Sequence, residues 1–208
     1  MVYKTSGLKW WIGSVLVVLF GLGTQLAQAD SSTYGMGTYG SCAYNTCGIS
    51  LTSSSSVNLN VTPISGTKCT VDKDSVAVLT DSSSGYTLQV TDGDSANQLV
   101  GAGTGTTISA VGGSAASPAV LAAGKWGYRV DGTSGFGNGP TGAQSNGAIP
   151  PVTFAALPLS TDTPDIIASS VGPADPAVTT TVWYGVCADS SQKSDTYSDN
   201  VTYTAIVN

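Results

Sequence analysis

Residues 182–188 read VWYGVCA, and residues 201–207 read VTYTAIV. In the first stretch neither alternate set of side chains is polar, apart from the hydroxyl of Tyr184, which is typical of a central strand covered on both faces. In the second stretch apolar residues alternate with two threonines, which predicts a strand with one buried face. The short polar connection at 189–194 predicts that these two strands form a hairpin.

Similar period-two patterns occur upstream, bounded by turns rich in Gly, Asp and Ser. They lie at residues 57–61, 69–71, 76–78, 86–90 and 126–130, with shorter candidates at 106–110, 152–154 and 166–168. Between the second and third patterns the parity changes, and we expect a turn or bulge at 72–75. The stretches 92–124 and 132–151 largely lack periodicity and predict loops. No helical stripe follows Ala29, so the expected fold is all-β: an antiparallel β-sandwich, immunoglobulin-like or jelly-roll-like, of about eight to ten strands.

The first 29 residues have the organisation of an export signal. Two lysines precede an almost purely apolar run at 10–22, and Ala27-Gln28-Ala29 has the small-x-small pattern that signal peptidases cut. We therefore expect residues 1–29 to form an N-terminal signal helix that is removed, so that the mature chain begins at Asp30 outside the cytoplasm. The alternative is an uncleaved membrane anchor, since the apolar segment reaches the lower length limit for a span.

Charge and composition exclude several classes of function. All 13 acidic residues of the 208-residue chain are aspartates at or after the predicted cut, and two of the seven basic residues precede it. The mature chain would carry five basic against 13 acidic side chains, a net charge of −8. Such acidity disfavours nucleic acid and anionic membrane surfaces as partners. The chain has no histidine, so catalytic sets that use histidine are impossible, and we expect no catalysis and no cofactor.

Four cysteines, Cys42, Cys47, Cys69 and Cys187, allow three disulfide connectivities in an exported protein. We favour Cys42–Cys47, which closes a tight local loop, and Cys69–Cys187, which joins two distant strands. The competing interpretation, free thiols or a zinc site, fits poorly with their wide and irregular spacing.

The chain divides into three parts. Residues 1–29 are the predicted signal peptide, residues 30–48 a Gly/Ser/Tyr-rich arm with a local disulfide, and residues 49–208 the β-sandwich domain. The stretch SSTYGMGTYG at 31–40 shows no core pattern, so we expect the arm to lie outside the folded core.

The C-terminal sequence TTTVWYGVCADSSQKSDTYSDNVTYTAIVN, residues 179–208, resembles a group of uncharacterised secreted β-sandwich surface proteins of bacteria. The resemblance extends to WGYRVDG at 126–132 and FGNGPTGAQ at 136–144. The ending at 195–203 is also similar to the final strand of fimbrial and spore-coat-type domains. These resemblances imply a β-sandwich at the cell surface, and they carry over no functional residues.

One candidate cation site is visible in the sequence. Asp92, Asp94 and Asn97 could present oxygen ligands to calcium, although their spacing departs from the EF-hand template. An Asp-Gly turn, in which the side chains bond their own backbone, is the simpler interpretation.

Aromatic residues are the other candidates for binding. Four of them lie within predicted strands, where core packing is the expected role although a sugar-binding platform is conceivable: Trp126, Tyr128, Trp183 and Tyr184. The aromatic residues in predicted loops are the better contact candidates, and we name Tyr39, Tyr44 and Phe136.

These features favour an exported extracellular or cell-surface protein with a structural or interaction role: adhesion, envelope coat or filament subunit. The expected partners are other surface proteins, glycans or further copies of the chain, with the arm able to add as a strand to a neighbour's sheet edge. The final strand is supplied within the chain itself, so a donor strand is not required. The first alternative is a carbohydrate-binding, lectin-like module. The second is an atypical serine hydrolase, because GTSGF at 132–136 resembles a nucleophile elbow with Ser134 as the nucleophile.

Overall fold

The computed structural model describes residues 16–22, 48–54 and 56–208. They form fourteen β-strands: β1 (Leu16–Leu22), β2 (Ile49–Thr52), β3 (Ser56–Val61), β4 (Lys68–Thr80), β5 (Tyr86–Asp92), β6 (Gln98–Gly101), β7 (Thr107–Ala110), β8 (Ala119–Val120), β9 (Lys125–Arg129), β10 (Gln144–Gly147), β11 (Thr153–Phe154), β12 (Asp165–Ser170), β13 (Ala174–Ala188) and β14 (Thr196–Val207). Within these ranges there is no helix. The prediction of an all-β fold is therefore confirmed.

Twelve of the strands form one sheet with the order β10-β4-β13-β9-β7-β6-β14-β1-β3, to which β2 is added beside β4, β5 beside β14, and β12 beside β5. The two remaining strands, β8 and β11, pair with each other. The large sheet is mixed rather than purely antiparallel, because β1 runs parallel to β14 and β7 parallel to β9. The strand number also exceeds the predicted eight to ten. Strands β6, β8 and β10 arise in stretches that the sequence predicts to be loops, and β1 and β2 arise where it predicts no strand.

The main hydrophobic core joins residues from strands that are far apart in the sheet order. It includes Leu59 of β3, Val76 of β4 and Tyr203 of β14, all at most 1 % exposed. The hydroxyl of Tyr203 forms a 2.6 Å hydrogen bond with the hydroxyl of Tyr184 on β13. Side chains of β13 and β14 therefore meet in this core.

The predicted hairpin of the last two strands is wrong. Both edges of β13 are occupied, one by β4 and the other by β9. Strand β14 pairs instead with β1, β5 and β6. The connection at 189–195 thus joins two strands that are not neighbours in the sheet. A short polar connection looks the same in the sequence whether or not its two strands pair.

The parity change near 72–75 has a different cause from the turn or bulge that the sequence predicts. Strand β4 is continuous, and its register with β13 is unbroken from Val78 to Lys68. Val71 packs in a second apolar cluster with Phe154 of β11, whereas Val76 packs in the main core. Each half of the strand therefore buries the opposite face, so the buried parity changes although the backbone stays regular.

The disulfide between Cys69 and Cys187 is present and lies in the second apolar cluster. The two residues are directly paired across β4 and β13, with Cα atoms 4.1 Å apart and a sequence separation of 118. Both cysteines are fully buried. The bridge therefore connects two adjacent strands of the sheet from opposite ends of the domain.

Residues 16–22 form a β-strand, so the helix expected for the signal segment is not found there. An apolar run with adjacent valines suits either structure, and here it lies beside strand edges that offer backbone hydrogen-bond partners. The predicted cut before Asp30 and the arm at 30–47 lie outside the described residues. The same holds for the predicted Cys42–Cys47 disulfide and for the contact candidates Tyr39 and Tyr44.

Candidate functional site

Strand β1 occupies a position between two strands of the domain. Its backbone pairs in parallel with β14, where Val17 lies opposite Thr196 and Leu22 opposite Val201. On its other side it pairs antiparallel with β3, from Leu16 opposite Val61. The segment that fills this position comes from the apolar core of the predicted export signal.

Strand β3 belongs to the large sheet through β1. It is the last strand in the sheet order, and β1 is its ladder partner. Three alternate residues of β3, Val57, Leu59 and Val61, are buried in the main core. The backbone oxygen of Asn60 also accepts a 2.6 Å hydrogen bond from the Thr70 hydroxyl. Packing therefore holds β3 against the domain, whereas its place in the sheet depends on a strand at the position of β1.

Three aspartates lie together where β5 ends beside β14. Asp92 is the last residue of β5, Asp94 follows in the next turn, and Asp199 lies on β14. One carboxylate oxygen from each lies within 4.8 Å of those from the other two. Asp92 and Asp199 are buried and Asp94 is exposed. The structure thus brings together two of the predicted calcium ligands and adds a third that the sequence analysis missed.

Backbone contacts orient these carboxylates. Oδ1 of Asp92 accepts a 2.9 Å hydrogen bond from the amide of Asp94, as an Asp-Gly turn predicts. Oδ1 of Asp199 accepts a 2.8 Å hydrogen bond from the amide of Asn200. The second oxygens, Oδ2 of Asp92 and Oδ2 of Asp199, are buried without a hydrogen-bond partner. The side-chain amide of Asn97, the third predicted ligand, donates to the carbonyl of Leu157 at 3.1 Å.

The electrostatics of the cluster are unfavourable for two ionised carboxylates. Burial, together with the charge of Asp94, raises the pKa of Asp92 to about 6. Burial and the neighbouring charge of Asp92 raise the pKa of Asp199 to about 8. Without a counter-charge, the pair therefore retains protons at a pH where ordinary aspartates are ionised.

The prediction that Phe136 is an exposed contact residue is wrong. It is only 4 % exposed, and its ring packs edge-on against Tyr128 with centroids 5.4 Å apart. The guanidinium of Arg129 lies 5.9 Å from the ring centroid. A loop aromatic followed by several glycines carries no signal in the sequence that distinguishes burial from exposure.

Arg129 organises the predicted loop at 132–151. It is 1 % exposed, and its Nε donates to Oδ1 of Asp131 at 2.6 Å and to the Thr141 hydroxyl at 2.6 Å. Its terminal nitrogens donate to the backbone oxygens of Phe136 and Gly137 at 2.5 and 3.3 Å. The first half of the loop is therefore folded around a buried cation, and Gln144–Gly147 continues as strand β10 beside β4.

Ser134 lies in an exposed turn with a positive φ of 50°. Within the described parts of the chain, no hydrogen bond joins its hydroxyl to a lysine or an aspartate that could act as a base. The four strand aromatics are buried as expected, Trp183 being the most exposed of them at 9 %. The hydrolase and the carbohydrate-binding alternatives stay predictions without a supporting contact.

Asp199 could have been found from the sequence. Extending the alternation of β14 backwards from Val201 and Tyr203 places Tyr197 and Asp199 on the same buried face, and the structure buries all four. A charged residue at such a position signals a partner or a site. Arg129 carries no such signal, because in the sequence it lies on the parity opposite to Trp126, Tyr128 and Val130, where an exposed polar residue is expected.

Among the described residues no helix is long and apolar enough to cross a membrane. Comparisons of this chain with protein-family models, with curated proteins and with solved structures find no match.

Proposed function

We propose that the chain is an exported structural subunit that assembles with further copies by strand addition. The observation that carries the proposal is the position of β1: residues 16–22, from the predicted signal, lie between β14 and β3. Cleavage before Asp30 would remove this strand and leave the facing edges of β3 and β14 unpaired. Unpaired edges with a buried face recruit a strand from another molecule.

The arm at 31–40 of a second copy is the proposed replacement strand. The arm has no core pattern of its own, but when added as a strand it would place Tyr34 and Met36 on one face and Gly35 and Gly37 on the other. Seven strand residues span about 23 Å, so a ten-residue segment is long enough to replace β1. After cleavage the arm would be the first segment of the mature chain, ahead of β2.

A two-layer sandwich is the architecture that we propose for the mature domain. Its support is the contact between Tyr184 and Tyr203, whose strands β13 and β14 are not neighbours in the sheet and yet meet across one core. A rigid sandwich would hold β3 and β14 apart by the width of one strand. The proposed role is non-catalytic and lies in a surface coat or filament.

The test is export of the full chain, with its own leader, from a bacterial host, followed by intact-mass measurement and electron microscopy. We expect a mass that corresponds to residues 30–208 and polymers whose length falls when a synthetic peptide of residues 31–40 is added in excess. Protein that keeps residues 1–29, or a mature protein that stays monomeric at every concentration tested, would overturn the proposal.

A matched pair of variants tests the donor segment. Met36→Asp places a charge at a position of the proposed buried parity, whereas Thr33→Asp places the same charge on the opposite parity. We expect Met36→Asp to abolish polymers and Thr33→Asp to retain them. Equal polymer formation by both variants, with unchanged circular dichroism, would refute the role of the arm.

A further inference from the structure

We propose that Asp92, Asp94 and Asp199 bind one calcium ion at the junction of β5 and β14. The site is independent of strand addition, since its ligands all belong to the folded domain. It rests on the convergence of three carboxylates and on two buried oxygens that have no partner.

Each of the two buried carboxylates has one oxygen held by the backbone and one oxygen without a hydrogen-bond partner. Each uses Oδ1 to accept one backbone amide, from Asp94 in one case and from Asn200 in the other. These bonds fix the side-chain orientations and leave Oδ2 of each residue without a donor. A buried carboxylate oxygen without a partner is unfavourable, and a bound cation would satisfy both oxygens at once.

A glycine brings the turn of Asp94 close to β14. The amide of Gly93 donates to the carbonyl of Asn200 at 2.8 Å. A Cβ atom at Gly93 would lie 2.8 Å from the Cβ of Asn200, so only glycine permits this approach. The turn is thereby docked beside Asp199, and this docking brings the Asp94 carboxylate into the cluster.

The spacing suits a single coordination sphere. Calcium binds oxygen at 2.3–2.6 Å, so two ligand oxygens of one ion lie at most about 5 Å apart. The three carboxylate oxygens are within 4.8 Å of one another. Asp94 is exposed, which leaves one side of the site open to water molecules that would complete the six to eight ligands typical of calcium.

The donor set selects the metal. Carboxylate oxygens favour hard cations over zinc, for which nitrogen and sulfur ligands are preferred. Magnesium keeps several of its waters and requires near-octahedral geometry, and Asp92 and Asp199 are too deeply buried to admit a full water shell. Calcium, which accepts irregular geometry, fits this pair better.

The charge balance also requires a cation or a proton. The charge of Asp94 acts on Asp92, and the charges of Asp92 and Asp94 act on Asp199. Among the described residues no lysine or arginine adds to these charges. A proton shared between the two buried carboxylates is the alternative occupant. A titration with calcium distinguishes the two occupants, because a site that holds a shared proton would bind no calcium.

The site would stabilise β14, which forms one side of the position that β1 occupies. Asp199 pairs with Phe20 of β1 in the sheet register, and Asp92 lies on the strand at the other edge of β14. An ion held by both strands would keep β14 in place whichever strand occupies the position of β1.

The test is calorimetric titration of the folded protein with CaCl2 at pH 9, where the carboxylates are ionised, and with MgCl2 in parallel. We expect one calcium per chain, weaker binding of magnesium, and a calcium-dependent rise in the thermal unfolding midpoint. Asp199→Asn should weaken calcium binding by about 10-fold or more, whereas the exposed Asp72→Asn should leave it unchanged.

Asp199→Asn is nearly isosteric and removes a buried like charge, so it should fold and be more stable than the wild type when calcium is absent. That stabilisation, combined with no calcium binding by the wild type, would assign a shared proton and overturn the proposal. Equal affinity for magnesium, or equal effects of Asp199→Asn and Asp72→Asn, would overturn it as well.

Discussion

Replacement of Arg129 by Met should be among the most destabilising single changes in the domain. The guanidinium is 1 % exposed and pairs with Asp131 at 2.6 Å. It also holds the backbone oxygens of Phe136 and Thr153. Methionine retains much of the apolar volume and removes every one of these donors. Asp131 then loses its charged partner and keeps the hydrogen bonds from Thr141, and the carbonyls lose their donor.

Breaking a buried pair by removing one partner costs about 3–5 kcal/mol. The side chain of Asp131 is 26 % exposed, so water can partly replace the arginine there, and we expect a loss near the lower limit, about 3 kcal/mol. That is a large fraction of the roughly 5–15 kcal/mol that stabilises a typical domain. Arg129→Lys keeps the charge and loses the planar fork of donors, so we expect a smaller loss of about 2 kcal/mol.

The measurement is urea unfolding of the disulfide-intact protein, combined with hydrogen exchange of the segment 132–147. Lys193→Met removes an exposed positive charge and serves as the control, with an expected change within about 0.5 kcal/mol. Arg129→Met should also increase exchange in the segment more than in β13. A loss below about 1 kcal/mol, or equal losses for Arg129→Met and Lys193→Met, would refute the reasoning that the arginine organises this loop.

Two further predictions concern the buried disulfide and the hydrogen-bonded carboxylate of Asp195. Replacing Cys69 and Cys187 together by alanine should lower the free energy of unfolding by up to about 4.7 kcal/mol, the chain-entropy value for a loop of this size. Denaturant unfolding of the oxidised wild type and of the double-alanine protein measures the difference, and equal unfolding midpoints would contradict the prediction. Hydrogen bonds from the Thr104 hydroxyl and from backbone amides lower the pKa of Asp195 to about 2. The contribution of this carboxylate to stability is therefore present above about pH 4 and is lost as the pH falls towards 2. Asp195→Asn should flatten the dependence of the thermal unfolding midpoint on pH in this range, and an unchanged dependence would count against the assignment.

The sequence pattern predicts the strands that bury large apolar side chains. The part of β13 at 182–188 has no polar side chain apart from the Tyr184 hydroxyl because Tyr184 faces the main core while Trp183 faces the second cluster. This two-sided burial is what the sequence pattern indicates. The pairing of Cys69 with Cys187 was also predictable, because few connectivities were available. These features depend on which side chains are buried, and the composition and periodicity of the sequence indicate burial directly.

Strands held mainly by backbone pairing show no such pattern in the sequence. Gln144–Gly147 reads QSNG and still pairs with β4, since ladder hydrogen bonds need no particular side chain. Residues 16–22 present the reverse difficulty, because an apolar run suits a signal helix and a buried strand equally.

The candidate cation site was predictable in part. Asp92 and Asp94 stand out in the sequence as an Asp-Gly turn, but Asp199 is remote from them and becomes a neighbour only through the pairing of β5 with β14. The pairing of distant strands is the information that a single sequence lacks, although an aspartate at a buried parity of β14 indicates that some partner must exist.

The Cys69–Cys187 bridge has a mechanical consequence. A pulling force applied at the two ends of the domain is transmitted through the bridge, so the 118 residues of sequence that it spans cannot lengthen. Fully extended, they would add about 400 Å. Only the roughly 20 residues on each outer side remain free to unravel, about 70 Å per side. A single molecule stretched between surfaces should therefore yield a short extension when oxidised and a several-fold longer one after reduction.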